Sequence, residues 1–122
     1  MYPLRPMLGR LFSLFRGRPL LVPGTDQLPE GESRKVDVGD IAAGGKQIIL
    51  CRVEGQVYAL DSLCPHEEGR IQPGPLAQGC WAVCPLHNYG FDPRTGKARG
   101  GVCRDARTYK TRETDKGTEV WV

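Results

Sequence analysis

Both histidines of the chain stand beside a cysteine, in Cys64-Pro65-His66 and in Cys84-Pro85-Leu86-His87. One or two residues between a thiolate and an imidazole let both donors face one metal centre, and the prolines stiffen the turns that carry them. Seventeen residues, Glu67 to Val83, separate the two segments. A chain built this way must bring two turn-borne donor pairs side by side, and this requirement limits its fold more than any other feature.

At 122 residues the chain is sized for a single domain. Its 16 glycines and 10 prolines punctuate it often, which suits many short strands and turns better than long helices and predicts an all-β fold. Five cysteines is an odd number, and two of them sit with the histidines. That is unlike a secreted disulfide framework and fits metal binding in a reducing compartment. The N-terminal apolar residues are interrupted by Arg and Gly before a membrane span or secretory signal can form, and no twin-Arg pair is present, so the protein reads as cytoplasmic. The net charge of +3 comes from the N-terminus: without Arg5, Arg10, Arg16 and Arg18, 13 basic residues face 14 acidic ones. Nucleic-acid binding has no electrostatic footprint in such a domain.

Along residues 1–22, Leu4, Met7, Leu8, Leu11, Phe12, Leu14 and Phe15 share one helical arc opposite Arg5, Arg10, Ser13 and Arg16. This basic amphipathic segment, chiefly residues 1–18, suits a membrane surface, a partner or its own domain equally. Pro19 to Gly31 reads as a linker, giving an extension over residues 1–31 and a domain over 32–122. From Ser33 short β-like runs follow. Lys46–Val53 turns at Glu54-Gly55 into Val57–Leu60, a hairpin feeding Cys64, and Trp81–Val83 enters Cys84. Phe91 precedes a turn at Pro93–Gly96. Tyr109–Glu113 and Thr118–Val122 form a closing hairpin about Asp115-Lys116-Gly117. Each metal-type segment thus follows a strand.

The order Cys-x-His, an interval of this length, then Cys-x-x-His resembles the Rieske family at all four positions. The likeness extends to Val57-Tyr58-Ala59-Leu60, Gly69, Phe91-Asp92 and Thr95-Gly96, and covers roughly residues 36–122. It implies an antiparallel sandwich or barrel-like domain with a small cap of two loops binding one [2Fe-2S] cluster. Cys64 and Cys84 are then expected to hold one iron, and His66 and His87 the other, with both imidazoles near the surface. It also implies a one-electron carrier passing electrons from a reductase to a partner oxygenase or other redox enzyme, rather than a catalyst in its own right. The Cys-Pro-Leu-His-Asn second loop is shared with the small subunit of assimilatory nitrite reductase, which stays open as an alternative.

Two thiolates make the oxidised cluster formally neutral, whereas four would leave it at minus two, so a Rieske centre accepts an electron more readily. Within the family range of roughly −150 to +300 mV the surroundings decide. High-potential members carry two further cysteines that tie the loops together, and the corresponding positions here are Gly69 and Leu86. They also place hydroxyl donors two and four residues past the last histidine, where this chain has Tyr89 and Phe91. Glu67 and Glu68 oppose added negative charge further. These features imply a low potential.

A reading of a different class has the four residues hold one structural zinc in an interaction module without redox activity. Cys51, Cys80 and Cys103 receive no role beyond that of small buried hydrophobes. Arg94, Lys97, Arg99, Arg104, Arg107 and Lys110, against Asp92 and Asp105, form a basic stretch after the second loop; this is a solvated face or, if it surrounds the cluster, a steering surface for an acidic partner.

Overall fold

The computed structural model describes residues 18–39, 43–66 and 69–122. The amphipathic segment expected over residues 1–18 therefore lies, apart from Arg18, outside the described residues, as do Glu67 and Glu68. Nine strands are described: β1 Leu20–Val22, β2 Glu32–Val38, β3 Lys46–Val53, β4 Gln56–Asp61, β5 Gly74–Pro75, β6 Ala82–Cys84, β7 Tyr89–Phe91, β8 Thr108–Thr114 and β9 Gly117–Trp121. Seven form one antiparallel sheet in the order β1-β9-β8-β4-β3-β2-β5, and β6 and β7 pair separately. The all-β, antiparallel expectation with a small second unit holds.

The centre of the sheet follows from the run Ile48-Ile49-Leu50-Cys51, whose four side chains are all fully buried. A strand buried on both faces reads as a continuous apolar run, and successive residues feed opposite sides. Ile48 and Leu50 join Val57, Ala59 and Val120 in one core, while Ile49, Cys51 and Val53 join Leu60, Cys64, Cys84 and Phe91 in the other. The second core lies between the sheet and the β6–β7 hairpin, so the apolar packing that folds the domain also seats both motif cysteines. Phe91 is completely enclosed there, and losing such a ring costs on the order of 3–5 kcal/mol.

The β3–β4 turn is the expected one. Glu54 and Gly55 both adopt positive φ, 52° and 79°, as a tight hairpin requires. The Glu30 carboxylate accepts the Glu54 and Gly55 N–H groups at 2.7 and 2.8 Å, which holds the non-glycine residue there. Arg94 donates to the Glu54 carboxylate at 2.7 Å and to the Asp92 carboxylate at 3.1 Å, tying the turn after β7 to the sheet.

The segment read as a linker is instead part of the fold. Leu20–Val22 pairs with Val120, Glu119 and Thr118 of β9, and Val22 and Leu28 are buried in the first core. Buried Thr25 shares a 2.8 Å hydroxyl hydrogen bond with Thr118, and Arg52 donates to the carbonyls of Thr25 and Leu28. The prolines and glycines of this stretch bend it around the sheet edge and do not free it.

Candidate metal centre

The loop after β4 starts from a stack of local hydrogen bonds. Asp61 accepts the Leu63 N–H at 2.9 Å through Oδ1 and the Tyr109 hydroxyl at 2.7 Å through Oδ2. An aspartate bonding the backbone two residues on closes an Asx turn, and this one aims the chain into Cys64. Fully buried Ser62 sits between them, its hydroxyl accepting from Arg70 at 3.1 Å. Ile71 N–H donates to the Ser62 carbonyl and Cys64 N–H to the Gly69 carbonyl, which closes the loop around Pro65 and His66. The return leg then joins β6 through Gln72 N–H and the Val83 carbonyl at 3.1 Å. The second loop is the turn of the β6–β7 hairpin, in which Cys84 pairs with Tyr89. Asn88 takes φ 58°, a left-handed conformation that Asn tolerates better than most residues.

The structure groups the predicted donors as two pairs, Cys64 with Cys84 in one buried cluster and His66 with His87 in ring contact. Cys64 and Cys84 are 4% and 1% exposed and belong to the same buried cluster. Burial pushes the Cys84 thiol up; the Leu86 backbone N–H opposes this, and neighbouring Cys64 raises it further. An anionic sulfur in such a place needs a cation beside it. The imidazoles of His66 and His87 meet edge-on, 4.8 Å between centroids and 73° between planes. His87 is exposed and His66 half-buried.

Two details test whether these residues fit a metal group. Nδ1 of His66 is buried and has no hydrogen-bond partner, a costly state for a ring nitrogen that a metal bond would relieve. Gly69 leaves a space that any other residue would fill: a Cβ there would stand 2.6 Å from Cys84 Sγ and 3.2 Å from Leu86 Cβ. Among the described residues no three His, Cys, Asp or Glu side chains converge as a single-ion site needs. Two pairs of donors match a two-iron centre, in which each iron takes two protein ligands.

The other thiols differ in their surroundings. Cys51 is a core hydrophobe, its thiol pushed up to about 12 by burial. Cys80 lies half-buried in the turn before β6. Half-buried Cys103 packs against the core that holds Cys64 and Cys84. Of the basic stretch, Arg104 reaches the first loop, donating to the Pro65 carbonyl at 3.3 Å. Arg94 is engaged with carboxylates, Arg99 lies over Trp81, and Lys110 lies over Trp121. Of these residues, Arg104 is thus the one seen to contact a ligand-bearing loop. Sequence reading weighed Tyr89 only as a hydroxyl donor, whereas the structure sets its ring against both imidazoles. The Asp61-Ser62 pair before Cys64 is a recognisable turn signal that the motif itself overshadowed.

Comparison with known proteins agrees with this geometry. A family model for the Rieske [2Fe-2S] domain matches residues 18–111. The ferredoxin component of the naphthalene 1,2-dioxygenase/salicylate 5-hydroxylase systems of a Ralstonia species is 42% identical over 85 residues, 69% of this chain and 76% of that protein. Among solved structures, the ferredoxin of carbazole 1,9a-dioxygenase from Nocardioides aromaticivorans IC177 has a TM-score of 0.69 at 30% identity, over 84% of this chain and 95% of that one. An NADH-dependent nitrite reductase small subunit from Mycobacterium tuberculosis has a TM-score of 0.60 at 20% identity, over 84% and 92% of the two chains, a likeness of fold alone. With a matched region that takes in both loops and most of the sheet, the chain belongs to the Rieske [2Fe-2S] domain family.

Proposed function

We propose that Cys64 and Cys84 hold one iron of the [2Fe-2S] cluster and that His66 and His87 hold the other, and that the protein carries single electrons from a reductase to a partner oxygenase. The observation that supports the ligand set is the buried, partnerless Nδ1 of His66, taken with two thiols buried in one cluster. When bound, the cluster supplies a one-electron couple. The chain excludes water from the thiolate side, and it leaves the His87 ring at the surface as the short path by which electrons enter and leave. Kinship with dioxygenase ferredoxin components supports an oxygenase as the acceptor.

The nitrite reductase small-subunit reading rests on the shared second-loop motif and is the weaker one. A zinc module is the reading of a different class, and one zinc per chain with neither iron nor labile sulfide in the purified protein would favour it. All five cysteines are unpaired, which supports a reducing, cytoplasmic location. Among the described residues no helix is long and apolar enough to cross a membrane.

Purified protein should contain iron and acid-labile sulfide in equal amounts and a visible spectrum that bleaches on dithionite. The colour should return when an oxygenase of the naphthalene dioxygenase type is added with its substrate and oxygen. Bleached protein that no such oxygenase reoxidises, but that transfers electrons within a stable complex with a nitrite reductase, would replace the carrier reading with the subunit one.

A further inference from the structure

We propose that Tyr89 is a positioning residue that sets the planes of both imidazoles through its ring, an assignment that rests on His66 and His87 being the nitrogen ligands. The Tyr89 ring lies 4.7 Å from His66 at 48° and 5.6 Å from His87 at 36°, and the two imidazoles lie 4.8 Å apart. Each separation is within the range in which aromatic rings interact favourably, about 4.5–7 Å. Three rings in mutual contact lock one another in a way that no pair does.

This contact has a specific task. A bond from a ring nitrogen fixes that nitrogen but leaves the ring free to turn about the bond, and the side-chain torsion behind an imidazole is itself broad. Neighbours must therefore set the plane. His87 stands in an exposed turn, and the buried Nδ1 of His66 is taken by iron in the proposed ligand set, so ring packing is the restraint that acts on both imidazoles. Tyr89 is well placed to impose it. Strand pairing holds its backbone opposite Cys84, and its half-buried side chain packs on the core that contains both cysteines. One residue thus links the thiolate side of the site to both imidazoles.

The test compares Tyr89→Leu, Tyr89→Phe and the unaltered protein as full chains carrying the cluster, by iron content, the electron paramagnetic resonance line shape of the reduced state and the electron self-exchange rate. Tyr89→Phe keeps the ring and should reproduce the native lines and rate. Tyr89→Leu should show broadened lines, from a spread of imidazole orientations, and a rate several-fold lower. If Tyr89→Leu holds no iron, Tyr89→Met keeps an apolar contact with the core but no ring, and should show the same broadening. Native line shapes in the ringless variants would overturn the proposal, and so would a Tyr89→Phe protein that behaves like them, since the hydroxyl would then be the acting group. Failure of the ligand assignment is separable: the unaltered protein would then lack coupling to two histidine nitrogens, whatever the variants do.

Discussion

Gly69 shows how much one residue decides. Its importance is spatial, because the methyl of an alanine would stand 2.6 Å from Cys84 Sγ, where sulfur must instead face iron in the proposed ligand set. Gly69→Ala should therefore lose most of its iron while the strand signature in circular dichroism persists; iron content equal to the native protein would show that the loops yield freely. Cys51 and Tyr109 make a second residue-level case. Burial pushes the Cys51 thiol up from 9.0 to about 12, and burial together with the Asp61 carboxylate pushes the Tyr109 phenol up from 10.0 to about 12. Both groups keep their protons to higher pH when folded than when unfolded. The stability they lend is thus complete below about pH 9 and lost as pH rises toward about 12. Denaturant midpoints should fall across that window, and the fall should be shallower in a Cys51→Ala/Tyr109→Phe variant than in the native protein. The two Cys and His segments were legible at this scale from residue type and spacing, and the structure sets His66 against His87 and buries Cys64 and Cys84 in one cluster, as the proposed ligand set needs. The ring contacts of Tyr89 were not legible, because sequence separation from a histidine does not say which way a strand side chain leans.

Among the elements, the seam between β4 and β8 combines backbone and side-chain bonds. The strands pair at Ala59–Tyr109 and Leu60–Thr108, the Asp61 N–H donates to the Arg107 carbonyl at one end, and toward Val57 side chains take over. Thr111 donates its hydroxyl to the Val57 carbonyl at 2.7 Å, and the Val57 N–H donates to the Glu113 carboxylate, which also faces Arg52. Thr111→Val keeps shape and β-propensity but leaves the Val57 carbonyl without this donor, so it should cost about 1–2 kcal/mol in chemical denaturation; an unchanged midpoint would mean that water replaces the hydroxyl. The β3–β4 and β8–β9 hairpins were readable because apolar runs and turn residues lie close in sequence. β1 was not. Three residues between Pro19 and Pro23 carry little pattern, and their partner is β9, nearly a hundred residues away. Such long-range pairing leaves no local trace.

For the whole molecule, the proposed two-thiolate ligand set leaves it to the surroundings to stabilise the negative charge added on reduction. Leu86 and Gly69 occupy the loop positions where high-potential relatives carry bridging cysteines, and fully buried Phe91 brings no hydroxyl to the site. Protein-film voltammetry should therefore place the couple near the lower end of the Rieske range, about −150 mV, and a value near about +300 mV would show that other donors dominate. In the proposed ligand set, buried Cys64 and Cys84 and exposed His87 would give the cluster one insulated side and one accessible side, as a carrier requires. The most direct test of this account is the nitrogen hyperfine spectrum of the reduced protein grown with 15N-histidine. Two inequivalent histidine nitrogens coupled to the iron spin are predicted, with loss of one in His66→Cys and of the other in His87→Cys. A spectrum with no histidine coupling, or a preparation that binds one zinc and no iron, would contradict it.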